Sequence, residues 1–276
     1  MSNDTIAFIG GGNMARSLIG GLIARGTPAS SIHVAEPHQE LREALARDFG
    51  VHVHADNADA VRGARVWMLS VKPQVMRQVC EGLSAVKHAV QPTAISIAAG
   101  ITTTQLSRWL GPGVAIVRCM PNTPALLGAG VTGLFATADV DAAGRARAEA
   151  VLASAGKTVW VEDEALMDAV TGVSGSGPAY VFLLAEAMED AGIAEGLSPE
   201  AARTLVSQTL LGAARMLTEA DVAPAELRRR VTSPGGTTQA AIETFESGGL
   251  RELVATAIHN AARRGGELSK SNDEAG

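Results

Sequence analysis

TIAFIGGGNMA, residues 5–15, decides the fold. The apolar run Ile6-Ala7-Phe8-Ile9 stops at three consecutive glycines and passes through Asn13-Met14-Ala15 into an amphipathic segment with Leu18, Ile19, Leu22 and Ile23. That order predicts a buried strand, a tight turn and a helix. In the pattern G-x-G-x-x-G/A, Gly10 allows the turn, Gly12 lets a diphosphate touch the backbone, and Ala15 lets helix and strand pack closely. The free N–H groups at the helix start, Gly12, Asn13, Met14 and Ala15, then face an anion with the helix dipole behind them. An acidic residue, Glu36, closes the next apolar run, Ile32–Ala35, which completes the pattern of a dinucleotide-binding turn.

Working outward, strand-like and helix-like segments alternate from residue 32. Strands are expected at Ile32–Ala35, Val51–Ala55, Val66–Val71, Ala94–Ala98 and Val114–Met120. Between them fall helical segments at Gln39–Phe49, Asn57–Gly63, Pro73–Val86 and Thr103–Leu110. Beyond the Pro121/Pro124 break, strand Val131–Thr137, helix Ala142–Ser154 and strand Thr158–Val161 extend the sheet. The fold class is α/β, a Rossmann-type doubly wound parallel sheet over residues 1–163.

From Glu164 the alternation ends. Helices are expected over Glu164–Val173, Pro178–Ala194, Pro199–Glu219, Pro224–Val231, Thr237–Phe245 and Leu250–Leu268, three of them with proline in the first turn. In Ala179–Ala191 and Ala201–Leu217 apolar residues cover most of the circumference, and such helices are buried on several sides. About 110 residues of helix make a thin unit in which to bury them. The expectation is an all-helical domain, residues 164–276, that pairs with a second copy of the chain as a homodimer; burial against the chain's own first domain is the alternative.

Composition sets outer limits. The chain has 276 residues, is 46% hydrophobic but 3% aromatic, and carries a net charge of −6. That balance argues against a nucleic-acid or anionic-membrane surface, so an anionic ligand is held by local donors. Two cysteines, Cys80 and Cys119, form no framework and read as reduced core thiols. No charged and apolar leader precedes the first strand, and the most apolar helix is too short to span a bilayer. A soluble cytoplasmic protein is expected. His52 and His54 share one face of a strand, but nothing completes a metal site around them.

In a doubly wound sheet the ligand lies over the carboxyl ends of the strands. Just past those ends come Ser70-Val71-Lys72-Pro73, Ala98-Ala99-Gly100 and Met120-Pro121-Asn122-Thr123-Pro124, small or polar loops able to contact ribose and nicotinamide. The chain has four lysines, at 72, 87, 157 and 270, and Lys72 alone lies at this rim. It either meets a ribose hydroxyl or a water beside the substrate, or is a surface lysine ahead of Pro73. A carboxylate at Glu36 accepts from a free ribose 2′-OH and repels a 2′-phosphate, which points to NADH. His38 and Arg42 lie close enough to meet a phosphate if Glu36 turns away, and a Glu36 that simply faces solvent is the other alternative, so NADPH or NADH stays open.

Two further loops stand out, Val173-Ser174-Gly175-Ser176-Gly177-Pro178-Ala179-Tyr180 and Val231-Thr232-Ser233-Pro234-Gly235-Gly236-Thr237-Thr238. Glycines and hydroxyls at a helix start suit a carboxylate, and equally suit plain helix capping.

At these loops the sequence resembles a known family. GGGNMA (10–15), SVKPQ (70–74), SIAAG (96–100), RCMPNTP (118–124), DAVTGVSGSGPAY (168–180) and ELRRRVTSPGGTTQAAIETFE (226–246) together resemble pyrroline-5-carboxylate reductase, nearly end to end. The resemblance implies reduction of 1-pyrroline-5-carboxylate to L-proline by NAD(P)H. It implies that Ser233 and the backbone at Gly236 and Thr237 hold the substrate carboxylate and that the Thr238 hydroxyl bonds the ring nitrogen. Lys72 and the 120–123 loop would sit beside the nicotinamide, and Asn57 near the adenosine ribose. It also implies a homodimer, or an assembly of dimers, in which one subunit's helical domain completes the site of its partner. A β-hydroxyacid dehydrogenase shares the N-terminal pattern, but it needs a lysine in the second domain, where this chain has only Lys270. A non-catalytic NAD(P) sensor would use the two loops as caps.

Overall fold

The computed structural model describes residues 4–86 and 91–274; Lys87 lies outside them. Eight strands form one sheet in the order β3-β2-β1-β4-β5-β6-β7-β8. They are β1 Ile6–Ile9, β2 Ile32–Ala35, β3 His52–His54, β4 Val66–Leu69, β5 Thr93–Ser96, β6 Ala115–Met120, β7 Gly130–Ala136 and β8 Gly156–Trp160. Every pairing from β3 to β6 is parallel. The helices α1 Asn13–Ala24, α2 Gln39–Phe49, α3 Asn57–Ala60, α4 Pro73–Ser84, α5 Thr103–Leu110 and α6 Ala142–Leu152 alternate with these strands. The strand order reverses between β1 and β4, so the glycine turn stands at the switch point where such sheets hold their ligands.

Alternation along β1 explains why the sheet needs two apolar faces. Ile6 and Phe8 join Ala15, Leu18, Ile19 and Leu22 of α1 on one side. Ala7 and Ile9 join Met76, Cys80 and Leu83 of α4 on the other. All four β1 side chains are buried, as parallel sheets covered on both faces require.

The sheet departs from the expected pattern at one edge. β7 runs antiparallel to β6, and β8 is parallel to β7. Only nine residues, 121–129, separate β6 from β7, with one 3-10 turn among them. A parallel crossover needs a dozen residues or more, so the chain turns back.

Backbone contacts divide the chain into two compact units, residues 1–176 with 259–276, and residues 177–258. The first unit thus runs past residue 163. It takes in α7, Leu166–Val170, and a π-helical turn, Thr171–Gly175, where one continuous helix was expected. It also takes in the second half of α12, Leu250–Glu274. There Gln105 Nε2 donates to the Ser269 carbonyl at 3.2 Å and Asn272 Nδ2 to the Gly100 carbonyl at 2.9 Å.

The second unit holds α8 Gly177–Ala194, α9 Pro199–Glu219, α10 Pro224–Arg230 and α11 Thr237–Ser247. Ser198 caps α9 through the Ala201 N–H, and Pro199 occupies its first turn. Within the single chain α9 buries Ala202 and Val206, whereas α8 is not covered by the chain itself. α8 has no buried side chain, and Phe182 and Leu183 are 65% and 66% exposed. Among the described residues, no helix is long and apolar enough to cross a membrane.

Candidate active site

The glycine turn is built by close approach. Gly10 has φ +97°, and a Cβ there would stand 2.7 Å from the Ser70 carbonyl oxygen; its N–H donates to Ala35 O at 2.9 Å. That turn therefore rests against the ends of both neighbouring strands. Around Gly12, by contrast, a Cβ would meet nothing within 4 Å, leaving open space before the first turn of α1. The residues fit a diphosphate on that observation: unobstructed backbone, then helix N–H groups.

A groove of about 760 Å³ opens there, and it brings together Gly10, Gly12, Glu36, Asn57, Ser70, Val71 and Lys72. Lys72 is exposed at the N-cap of α4, with Pro73 behind it. Asn57 opens α3, whose N-cap Asp56 accepts the Ala58 N–H at 2.7 Å. Asn13, Met14 and Ala15 continue α1 from the groove, and Ala15 is buried in the core.

Two of the expected loops lie outside the groove lining. Ala98, Ala99 and Gly100 follow β5, and Met120, Pro121 and Asn122 follow β6, at the carboxyl ends of strands further along the sheet. Gly100 takes φ +71° and is held by Asn272. The Asn122 side chain is engaged inside the unit. It accepts the Val131 N–H at 3.0 Å and donates to the Ser174 carbonyl at 3.2 Å, tying β7 to the π-helical turn.

The groove also has a wall that reading the sequence missed: Leu41 of α2 with Val75, Gln78 and Val79 of α4. Leu41 and Val75 are 46% and 42% exposed, apolar residues on otherwise polar helix faces. That misplacement was the available signal, because isolated exposed apolar side chains at a cleft suit a flat heterocycle.

Glu36 does not turn to solvent. It is 7% exposed, and its Oε2 accepts the Gly11 N–H at 3.0 Å. Its Oε1 accepts the His38 N–H at 3.1 Å and pairs with His38 Nδ1 at 2.8 Å. Burial pushes the carboxyl pKa up, but the bonds from His38 and Gly11 together outweigh it and hold the value below the ordinary range. Glu36 is therefore a carboxylate. Arg42 Nη1 donates to the carbonyls of Glu36 and Pro37 at 2.7 and 2.6 Å.

In the second unit, Gly236 N-caps α11 and Gly235 has φ +70°. The Gly235 N–H donates to Gln239 Oε1 at 2.7 Å and the Gly236 N–H to Ser233 O at 3.1 Å. The Gly236 N–H is thus engaged within the turn; the next N–H groups, of Thr237, Thr238 and Gln239, belong to the first turn of α11, where an N–H has no intrahelical partner, and Thr237 is exposed and Thr238 half-buried.

Residues 164–268 match the family model for pyrroline-5-carboxylate reductase dimerisation, and residues 5–100 the model for NADP oxidoreductase, coenzyme F420-dependent. A pyrroline-5-carboxylate reductase of Pseudomonas aeruginosa is 52% identical over 98% of each chain. The chain belongs to the pyrroline-5-carboxylate reductase family. A structure of a family member from Coxiella burnetii superposes with a TM-score of 0.94 at 43% identity, covering 97% of this chain and 99% of that one. The Plasmodium falciparum pyrroline carboxylate reductase, solved with NADP bound, gives a TM-score of 0.82 at 27% identity over 98% and 99%. Members of this reductase family are NAD(P)-dependent oxidoreductases.

His33 of β2 hydrogen-bonds His54, Nδ1 lying 2.9 Å from Nε2, and its ring centroid lies 4.9 Å from that of His52. Among the described residues no group of three or more side chains forms a metal site.

Proposed function

We propose that this chain reduces 1-pyrroline-5-carboxylate to L-proline with NAD(P)H. The observation that carries the reading is the end-to-end match to a named reductase, over 98% of both chains. The open glycine turn and its groove support a dinucleotide in the first unit.

The substrate's ring nitrogen is basic enough to be protonated near neutral pH, and the iminium is already an electrophile. NAD(P)H, when bound, supplies the hydride. What remains for the chain is positioning rather than strong acid catalysis. The 233–237 turn takes the substrate carboxylate through the Ser233 hydroxyl and the Thr237 N–H, with Gly236 shaping the turn. Since the Gly236 N–H is engaged with Ser233, the Thr237 N–H and the Ser233 hydroxyl are the donors that remain. The Thr238 hydroxyl bonds the ring nitrogen and orients its carbon. Gly10, Gly12, Asn13, Met14 and Ala15 present the diphosphate turn, Glu36 and Asn57 serve the adenosine ribose, and Ser70–Pro73, Ala98–Gly100 and Met120–Asn122 line the nicotinamide end. Lys72 bonds ribose or a water beside the substrate.

The helical segment 164–276 binds substrate and pairs two copies into a homodimer. Exposed apolar side chains on α8 support this, because a lone chain leaves Phe182 and Leu183 in water. The protein works in the cytoplasm. The test is the initial rate of NADH and NADPH oxidation by pure protein supplied with 1-pyrroline-5-carboxylate. Oxidation that depends on the imine is expected; bound cofactor without oxidation overturns the reductase reading and leaves a sensor.

A further inference from the structure

We propose that Glu36 is a resident anion standing where a 2′-phosphate would bind, so that this chain selects NADH over NADPH. The inference rests on the groove's holding a dinucleotide, and it names which one. Three donors converge on the carboxylate: the Gly11 N–H, the His38 N–H and His38 Nδ1, all within 3.1 Å. Two backbone N–H groups and an imidazole are a set that binds a phosphate when nothing else occupies it. Here the chain fills the set with its own side chain.

The two consequences act together. A cofactor with a free 2′-OH finds a fixed acceptor in Glu36 and donates to it. A cofactor with a 2′-phosphate meets a buried carboxylate and finds the local donors occupied. Arg42, six residues on from Glu36, gives no relief. Arg42 is held on the Glu36 and Pro37 carbonyls, where it braces the backbone that presents the carboxylate. Arg42 is accordingly a positioning residue.

This reading makes Glu36→Ser more than the removal of a charge. The change releases the three donors at once and leaves a phosphate receptor, in which His38 becomes the side-chain contact. Glu36→Asn and Glu36→Gln keep a polar group among the donors while removing the charge.

The experiment measures binding rather than turnover. Dissociation constants for NADH, NADPH and 2′,5′-ADP are taken by calorimetry on the full chain, its Glu36→Ser and Glu36→Gln variants, and the Glu36→Ser/His38→Ala double variant. The native chain is expected to bind NADH at least tenfold more tightly than NADPH. Glu36→Ser should tighten NADPH and 2′,5′-ADP by tenfold or more, and the double variant should lose most of that gain. Glu36→Gln, which preserves the shape of the side chain, should narrow the ratio if Glu36→Ser folds poorly. NADPH binding as tight as NADH in the native chain overturns the proposal, and so does a Glu36→Ser variant that loses NADH without gaining 2′,5′-ADP. Failure of both dinucleotides to bind any folded variant overturns the dinucleotide groove itself.

Discussion

Glu164 and Arg118 form an ion pair at 3.0 Å, with the Arg118 side chain only 7% exposed. Arg118 projects from β6, and Glu164 lies just beyond β8. The same carboxylate accepts the Thr103 N–H at 2.8 Å, at the start of α5. This pairing carries the first compact unit past residue 163, since the segment leading into α7 is anchored to the sheet's own core.

Among the described residues, Glu164→Ala leaves the buried guanidinium with Asp168, at 3.7 Å, as its ion-pair partner. The expected cost is about 3 kcal/mol, the low end for a buried pair because Glu164 is partly exposed, or roughly 6–12 °C in Tm for a unit of this size. Arg118→Met combined with Glu164→Leu should recover part of it, because the pair's desolvation is then removed while the Thr103 N–H still lacks its acceptor. Thermal unfolding of the two variants checks both.

Thr238→Ala is expected to lower kcat at least tenfold, about 1.4 kcal/mol of barrier, with little change in Tm. The Thr238 hydroxyl is not the α11 cap; Gly236 holds that position and Gln239 closes the turn. A variant that melts early yet keeps its turnover per folded molecule would reduce Thr238 to a structural residue.

Acid should weaken the fold through His33. Burial lowers its pKa, and the neighbouring His54 and His52 lower it further. The unfolded chain then takes up a proton that the folded one resists, so stability falls as pH drops through about 6.5. Glu36 acts in the same direction at lower pH: its depressed pKa gives stability that is present above the ordinary carboxylate range and lost as pH falls through the folded value. Tm at pH 5.5 should lie below Tm at 7.5, and His33→Asn should shrink the gap. An unchanged gap in that variant assigns the slope to other groups.

The thiols should be silent. Burial, with a smaller contribution from Glu81, pushes Cys80 up to about 12. Burial also raises Cys119, which donates to Ser96 O at 3.2 Å. A disulfide reagent is expected to label neither in the native protein and both after denaturation.

Phe182→Glu should give a monomer by light scattering with its helical content intact, since the ring is 65% exposed in the single chain. A dimer that persists in this variant moves the pairing surface away from that part of α8.

How much of this was legible in the sequence depended on range. β1, the glycine turn and α1 follow from local periodicity and from a turn that only glycine makes, and the sequence reading places them within a residue. The direction of β7 was open to reading too: nine residues with two prolines cannot form a crossover helix. The orientation of Glu36 was not, because it depends on the Gly11 backbone and the His38 ring meeting the same carboxylate. Asn122 read as a polar rim residue, yet both ends of its amide are taken by β7 and the π-helical turn, partners 9 and 52 residues away. Likewise, periodicity drew α12 as one helix but carries no information on which layer each half joins.

That last helix has a consequence for the order of assembly during synthesis. Gly100 leaves the ribosome with its strand and helix neighbours, but Asn272, which holds its carbonyl, is translated 172 positions later. In between, the whole of the second unit must emerge. The nascent sheet therefore waits for its final clasp, and a premature stop or a bulky fusion near residue 268 would harm the part of the protein made first.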